Sequence, residues 1–162
     1  MRNWTISVIL AGLFCLPAVA QDHPKAELFG GYQYTHLEQT INAHGWNASI
    51  TGNLNNWFGL AADFSGAYES GFKFHTYMFG PVIAARHSER ATPFVHALFG
   101  GAHASNGSGI NGFSMALGGG LDVKVNNNVA VRLVQADWLL TRFQGITIKK
   151  NARVSAGIVF RF

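Results

Sequence analysis

The sequence predicts an all-β chain, an eight-stranded antiparallel up-and-down transmembrane β-barrel preceded by an export signal. Three observations carry that expectation. Apolar residues alternate with small or polar ones at period two, in runs bounded by Gly, Asn, Ser and Pro clusters. Charged residues make up only 12% of the chain and apolar ones 48%, whereas an ordinary soluble domain is about 25% charged. After residue 20 no long uninterrupted apolar stretch follows, so a lipid-embedded fold must span with strands. Lipid supplies no water to satisfy an open sheet edge, so those strands must close into a barrel.

The N-terminus reads as a processing segment. Arg2 is a short positive start, Trp4 to Leu16 is an apolar run too short to span a bilayer comfortably, and Pro17 breaks it. Ala18-Val19-Ala20 has the small-x-small pattern of a signal-peptidase site. Residues 1–20 are therefore expected to be a signal peptide cleaved after Ala20, with residues 21–162 forming the barrel domain. The single cysteine, Cys15, lies in this segment behind bulky Phe14, which argues against a lipoprotein anchor and leaves the mature chain with no thiol for disulfides or catalysis.

Eight strands are predicted at Ala26–His36, His44–Leu54, Trp57–Tyr68, Phe72–Arg86, Pro93–Ala104, Asn111–Val125, Val129–Arg142 and Ala152–Phe162. Each meets the ~9–11 residues a tilted transmembrane strand requires. In the sixth, Phe113, Met115, Leu117, Leu121 and Val123 share one face, and Ser114, Ala116, Gly118, Gly120 and Asp122 the other. In a soluble barrel that second face would meet water with few charges to solubilise it. In a membrane barrel the large apolar face meets lipid and the small polar face fills a narrow lumen. Lys or Arg facing lipid at mid-depth costs about 2–4 kcal/mol, which sets the register. The seventh strand changes phase midway, and a β-bulge near Val134–Gln135 would reconcile its halves. The fourth and fifth are apolar on both faces, and Pro81 suggests a bulge or irregular pairing there.

Asn53 to Asn56, His87 to Thr92 and Asn126 to Asn128 read as tight turns, and Leu37–Ala43, Gly66–Gly71, Ala104–Asn111 and Phe143–Asn151 as the opposite connections. An even strand number places both termini and the tight turns on the periplasmic side. Tyr32, Tyr34, Trp57, Phe58, Tyr68, Phe72, Trp138, Phe160 and Phe162 are candidates for interfacial aromatic girdles.

Gly118-Gly119-Gly120-Leu121-Asp122-Val123, the Asn turn and Val129-Ala130-Val131-Arg132 resemble the OmpA-type outer-membrane β-barrel domain across essentially the whole mature chain. The ending Arg153 to Phe162 is similar to the terminal strand of such barrels. The resemblance implies that Ile158, Phe160 and Phe162 form the signal read by the barrel assembly machinery. It also implies outer-membrane lipids and lipopolysaccharide as surroundings, and a structural or surface-interaction role in the cell envelope with a surface ligand of unspecified class. Larger relatives carry a peptidoglycan-binding periplasmic domain, which is not expected here because the residues end with the last strand.

Glu27, Asp63, Asp122, Lys124, Arg132, Asp137, Arg153 and Arg161 are expected, with Gln33 and Gln135, to point inward as a lumen charge network. Buried charges need partners, so the favoured reading is a plug, and the alternative is a gated small-solute, porin-like channel. His103-Ala104-Ser105-Asn106 is similar to the His-x-Ser-Asn stretch of outer-membrane lipid A deacylases, where a carboxylate on the next strand orients the His. Here Leu117 and its neighbours occupy that region, and Asp122 lies far down the strand. Lipid A hydrolysis is therefore the less favoured alternative, and the chain is expected not to be an enzyme, with no catalytic residues. No cofactor or metal is expected, because no histidines have ligand spacing with an acid or cysteine. The net charge of +4 is scattered rather than patched, which argues against nucleic acid. Amino-terminal sequencing of the exported protein is expected to start at Gln21, and a start at Met1 would replace the signal peptide with a retained anchor.

Overall fold

The computed structural model describes residues 23–37, 41–88, 90–106 and 108–162. The expected cleavage residues Ala18 and Ala20, and the hairpin tips at 38–40 and 107, lie outside the described residues. Eight strands follow in chain order: β1 (Ala26–Leu37), β2 (Ile41–Asn53), β3 (Phe58–Glu69), β4 (Phe72–Ala84), β5 (Ala91–Asn106), β6 (Ser108–Lys124), β7 (Val129–Phe143) and β8 (Ile146–Arg161). Each pairs antiparallel with its chain neighbours, and β1 pairs with β8 from Glu27↔Arg161 to His36↔Ala152, closing the barrel. The N–H of Lys25 donates to the Phe162 carbonyl at 2.7 Å, and the Phe162 N–H donates to the Ala26 carbonyl at 2.9 Å, so the seam is hydrogen-bonded to its end.

The alternation decides which side chains meet the outside. Leu28, Ile50, Leu60, Phe64, Phe79, Val95, Phe99, Phe113, Leu117, Val154 and Ile158 are exposed on the outer wall. The intervening residues, Gln33, Asn47, Asp63, Thr76, Ser114, Asp137 and Arg153 among them, are buried inside. This is the inverse of a soluble protein, and it is the arrangement that hydrocarbon outside and a filled lumen inside require.

The expected irregularity in β7 is present. Arg132 and Gln135 are both buried, while Leu133 and Val134 between them are both exposed. The register with β8 shifts between Arg132 and Gln135, and that with β6 shifts between Leu121 and Asp122. The extra residue lets Arg132 and Gln135 share the lumen although three positions separate them. At Pro81 the outcome differs from a bulge. Pairing with β5 lapses over Gly80 and Pro81 and resumes at Val82↔His96 in unchanged register. Proline lacks a donor, so the ladder skips a rung without inserting a residue.

The connections opposite the Asn turns are shorter than the sequence suggests. Glu69 pairs with Phe72, and Phe143 with Ile146, leaving two-residue turns. Ser70 and Gly71 have φ of 37° and 88°, and Gln144 and Gly145 have φ of 46° and 88°. Positive φ at both central residues matches the twist of the flanking strands, which therefore run on to the hairpin. At the other end, the Asn55 Oδ1 accepts from the N–H groups of Trp57 (2.9 Å) and Phe58 (2.7 Å). The Asn126 Oδ1 accepts from Asn128 (2.9 Å) and Val129 (2.8 Å) in the same way, so each turn rests on an asparagine that caps its own backbone.

Deleting Val134 leaves Arg132, Leu133 and Gln135 alternating inward, outward, inward, with the facing of β7 unchanged, whereas deleting Ala136 reverses the facing of everything from Asp137 to the end of β7. The Ala136 deletion is expected to lose the compact, heat-modifiable band of the folded barrel on a gel of unboiled sample, and the Val134 deletion to keep it. Loss of the band in the Val134 deletion, or a retained band of unchanged urea resistance in the Ala136 deletion, would refute this account of the bulge.

Candidate functional site

The lumen holds most of the chain's buried chemistry, joined in one path across the barrel. At the turn end, the Arg86 Nη2 lies 3.0 Å from the Glu27 Oε2, and the Arg161 Nε lies 2.9 Å from the Glu27 Oε1. Arg161 also approaches Asp122 at 3.7 Å. Arg132 donates to both oxygens of Asp122, at 2.8 and 3.1 Å, and to the Gln135 Oε1 at 2.7 Å. Gln135 passes its own amide to Asp137 at 2.9 Å. Arg153, 1% exposed, donates to Asp137 and to Asp63, each at 2.7 Å, and Asn47 donates to Asp63 at 2.8 Å. The carboxylates of Glu27, Asp63, Asp122 and Asp137 thus meet the guanidiniums of Arg86, Arg132, Arg153 and Arg161, and formal charge in the path cancels.

Small residues make room for these groups. A Cβ at Gly118 would come within 2.2 Å of the Asp137 Oδ1, and one at Gly120 within 2.8 Å of the Phe94 ring. Phe94 and Phe29 in turn sandwich Arg132, with centroids 4.2 and 4.3 Å from its Cζ. A delocalised cation between two ring faces gains quadrupole attraction without losing its in-plane donors.

Seven of the eight residues assigned from the sequence to a lumen charge network lie inside and touch one another. Lys124 is the correction. It shares a face with Asp122 but is the last residue of β6, and its side chain is exposed. Past the barrel mouth an ammonium stays solvated, so nothing draws it inward. Two members escaped the sequence reading. Arg86 lies just past the end of β4, a strand that the sequence predicts to reach Arg86 itself; it reaches back, also donating to the Asn56 carbonyl at 2.9 Å, and a strand apolar on both faces gives its parity no meaning. His96 places its Nε2 2.7 Å from the Asp137 Oδ1. It lies on β5, where apolar residues on both faces hide the alternation.

That ambiguity has a structural cause. The lumen is polar only in part. Ala61, Met78, Leu98, Ala116 and Leu139 form a buried apolar patch on β3 to β7. Towards the two-residue turns, Ala43, Ala67, Phe74, Ala102 and Ala104 form a second, with Phe72 and Phe143 packed against it. Phe72 and Phe74 stack at 6.5 Å with planes 10° apart. Phe72 therefore belongs to this cap and not to the lipid girdle. Below it, Ser49, Thr51, Thr92 and the charged path line a cavity of about 20 Å³, room for a water molecule and no solute.

Among the described residues no group of three or more His, Cys, Asp or Glu is placed to hold a metal. His103 and Ser105 lie on the outer wall of β5, away from the lumen. Ile158, Phe160 and Phe162 are exposed on one face of the final strand. Replacing Arg153 with Met leaves Asp63 and Asp137 buried without their shared guanidinium, Asp63 keeping Asn47 and Asp137 keeping Gln135 and His96. The expected loss of stability is about 3–5 kcal/mol, read as a lower urea midpoint for the refolded barrel. An unchanged midpoint would show that the pairs do not hold the lumen together.

No protein-family model matches the chain, and no curated protein does. Solved structures do match. The attachment invasion locus protein Ail of Yersinia pestis, in complex with the heparin analogue sucrose octasulfate, superposes with TM-score 0.57 at 19% identity, over 86% of this chain and 99% of that one. Neisserial surface protein A gives 0.63 at 13% identity, over 85% and 96%. The N-terminal barrel domain of Pseudomonas aeruginosa OprF gives 0.60 at 13%, over 87% and 100%. The chain therefore has the fold of the small eight-stranded outer-membrane β-barrels.

Proposed function

We propose that this chain is exported by its N-terminal signal peptide and resides in a bacterial outer membrane as a structural or surface-interaction barrel. The observation that carries the reading is the filled lumen. A charge-neutral chain of ion pairs occupies the turn half, and the Phe72, Phe74 and Phe143 cap occupies the hairpin end. A barrel sealed twice over presents only its outer wall and rim for function.

In this orientation both termini and the Asn turns face the periplasm, and the two-residue hairpins face outward. The outward rim carries exposed Lys73, Arg142 and Lys149. It suits contact with the anionic groups of lipopolysaccharide or of a sulfated or phosphorylated surface ligand, as Ail holds a sulfated sugar. The turn end exposes Trp57, Leu54, Val125 and Phe162 beside Arg90 and Lys124, an aromatic and basic girdle suited to the headgroup region of a phospholipid leaflet. The exposed apolar row ending at Phe162 is the surface through which the barrel assembly machinery would recognise the final strand.

The competing reading is a small-solute channel. Folded protein in a planar bilayer is expected to give no stable conductance steps. Reproducible steps from the pure barrel would replace the sealed-lumen reading with the channel.

A further inference from the structure

Trp46 on β2 and Tyr68 on β3 stand on the outer wall near the hairpin end, and both fold down onto Gly66. Gly66 has the outward parity of β3 and is nevertheless buried. A Cβ there would lie 2.8 Å from the Trp46 Nε1 and 2.8 Å from the Tyr68 Oη. Glycine is what lets the two side chains reach the wall, and they stay 44% and 41% exposed on their other side. Tyr77 covers Gly101 on β5 in the same way, with its phenol end against the glycine. An aromatic that only anchors a barrel turns its polar end to the headgroups. Here the polar ends are tied along the wall instead. The Trp46 indole donates to the Tyr68 hydroxyl at 3.3 Å, and that hydroxyl lies 3.1 Å from the His75 Nε2. Receiving the indole proton, the hydroxyl gives its own to Nε2 of the neutral imidazole, which leaves the His75 Nδ1–H as a donor. The His75 ring stands at 78° to the Tyr68 ring with centroids 5.5 Å apart, so the two make a corner. Lys73, the cross-strand partner of Tyr68 from β4, adds an exposed ammonium on the hairpin side of His75. Among the described residues no acid shares this face of β2 to β5.

These properties select a ligand. A pyranose ring has a C–H face that lies against an aromatic ring, and a rim of hydroxyls that both donate and accept. The folded-down rings offer the first surface, and the His75 edge meets the second. A phospholipid headgroup brings an anion for Lys73 but no ring for Trp46 and Tyr68. Towards the waist, Phe64, Phe79 and Leu60 are exposed on β3 and β4, a surface along which acyl chains lie. We propose that Trp46, Tyr68, His75 and Lys73 bind the headgroup of a phosphorylated glycolipid in the outward leaflet, with its sugar face on the two rings and its phosphate at Lys73. This deepens the surface-contact reading above and rests on its placing the hairpin end outward. No bond is made or broken, and the site acts by recognition alone.

The test uses the folded barrel in phosphatidylethanolamine nanodiscs with added phosphatidylglycerol or lipid A. Trp57→Phe together with Trp138→Phe leaves Trp46 as the one tryptophan of residues 21–162. Lipid A is expected to shield Trp46 from acrylamide quenching, and phosphatidylglycerol to leave the quenching nearly unchanged. The lipid A concentration for half-maximal shielding should rise roughly tenfold in Tyr68→Leu and in Lys73→Gln. Gly66→Ala keeps every ligand-contacting side chain but lifts both rings off the wall, and a rise of the same order is expected. Equal shielding by phosphatidylglycerol overturns the proposal, as does an unchanged half-maximal concentration in Tyr68→Leu and folded Gly66→Ala. So does equal shielding by lipid A of Trp138, left alone by Trp46→Phe and Trp57→Phe, because that marks a general girdle effect. A heat-modifiable band from the same samples reports folding separately. A folded barrel without preference for lipid A sinks this proposal alone, and loss of the band sinks the membrane-barrel reading.

Discussion

Backbone hydrogen bonding in a medium without water governs everything else in this molecule. Each peptide group in hydrocarbon must find its partner within the protein, and the pairing of β1 with β8 is what removes the last open edge. Once the sheet is closed, every strand has an inside and an outside, and the alternation of side chains becomes an assignment to lumen or lipid. The waist of the outer wall carries no Asp, Glu, Lys or Arg among the described residues, and the charges are either inside or at the rims. The two-residue hairpins and the Asn turns serve the same closure, because each returns the chain without loose backbone at the interface.

Closure of eight strands leaves a bore that side chains can fill, and this chain fills it unevenly. The β7, β8, β1 and β2 wall contributes Arg132, Asp137, Arg153, Arg161, Glu27 and Asn47, while the wall from β3 to β7 contributes Ala61, Met78, Leu98, Ala116 and Leu139. Buried ions are costly to desolvate, and the arrangement meets that cost by giving Arg153 two carboxylates and Arg132 a carboxylate, an amide and two aromatic faces. The bulge at Leu133–Val134 follows from this, since it brings Arg132 and Gln135 to the same side. A local irregularity in the wall is thus set by the chemistry of the filling.

The outer wall differs at its two ends. At the hairpin end, Tyr34 and His36 both reach the Asn42 side chain, Trp46 donates to Tyr68, and Tyr68 meets His75. These hydrogen-bonding side chains form a polar belt on the outer wall near the hairpins. The turn end offers Leu, Val, Trp and Phe beside the exposed Arg90 and Lys124.

The sequence by itself determined the closed antiparallel barrel, its strand number, its lipid-facing side and the position of the bulge. Period-two alternation and turn chemistry are local properties, and they stand in the residue order without reference to partners. It also placed seven of the charged lumen residues on the right face, since parity alone decides that. Only the tertiary structure decided which charge meets which. Arg153 and Asp63 are ninety positions apart and meet only across the closed bore. Arg86 joins from just past the end of β4, a strand whose two apolar faces left its parity unreadable, and Lys124 leaves because it stands beyond the mouth. The fourth and fifth strands stayed ambiguous because their inner face is itself apolar, which cannot be told from a lipid face until the barrel closes. Asn111 could not be joined to His103 before the register of β5 with β6 was known, because cross-strand pairing depends on hairpin length and not on any motif.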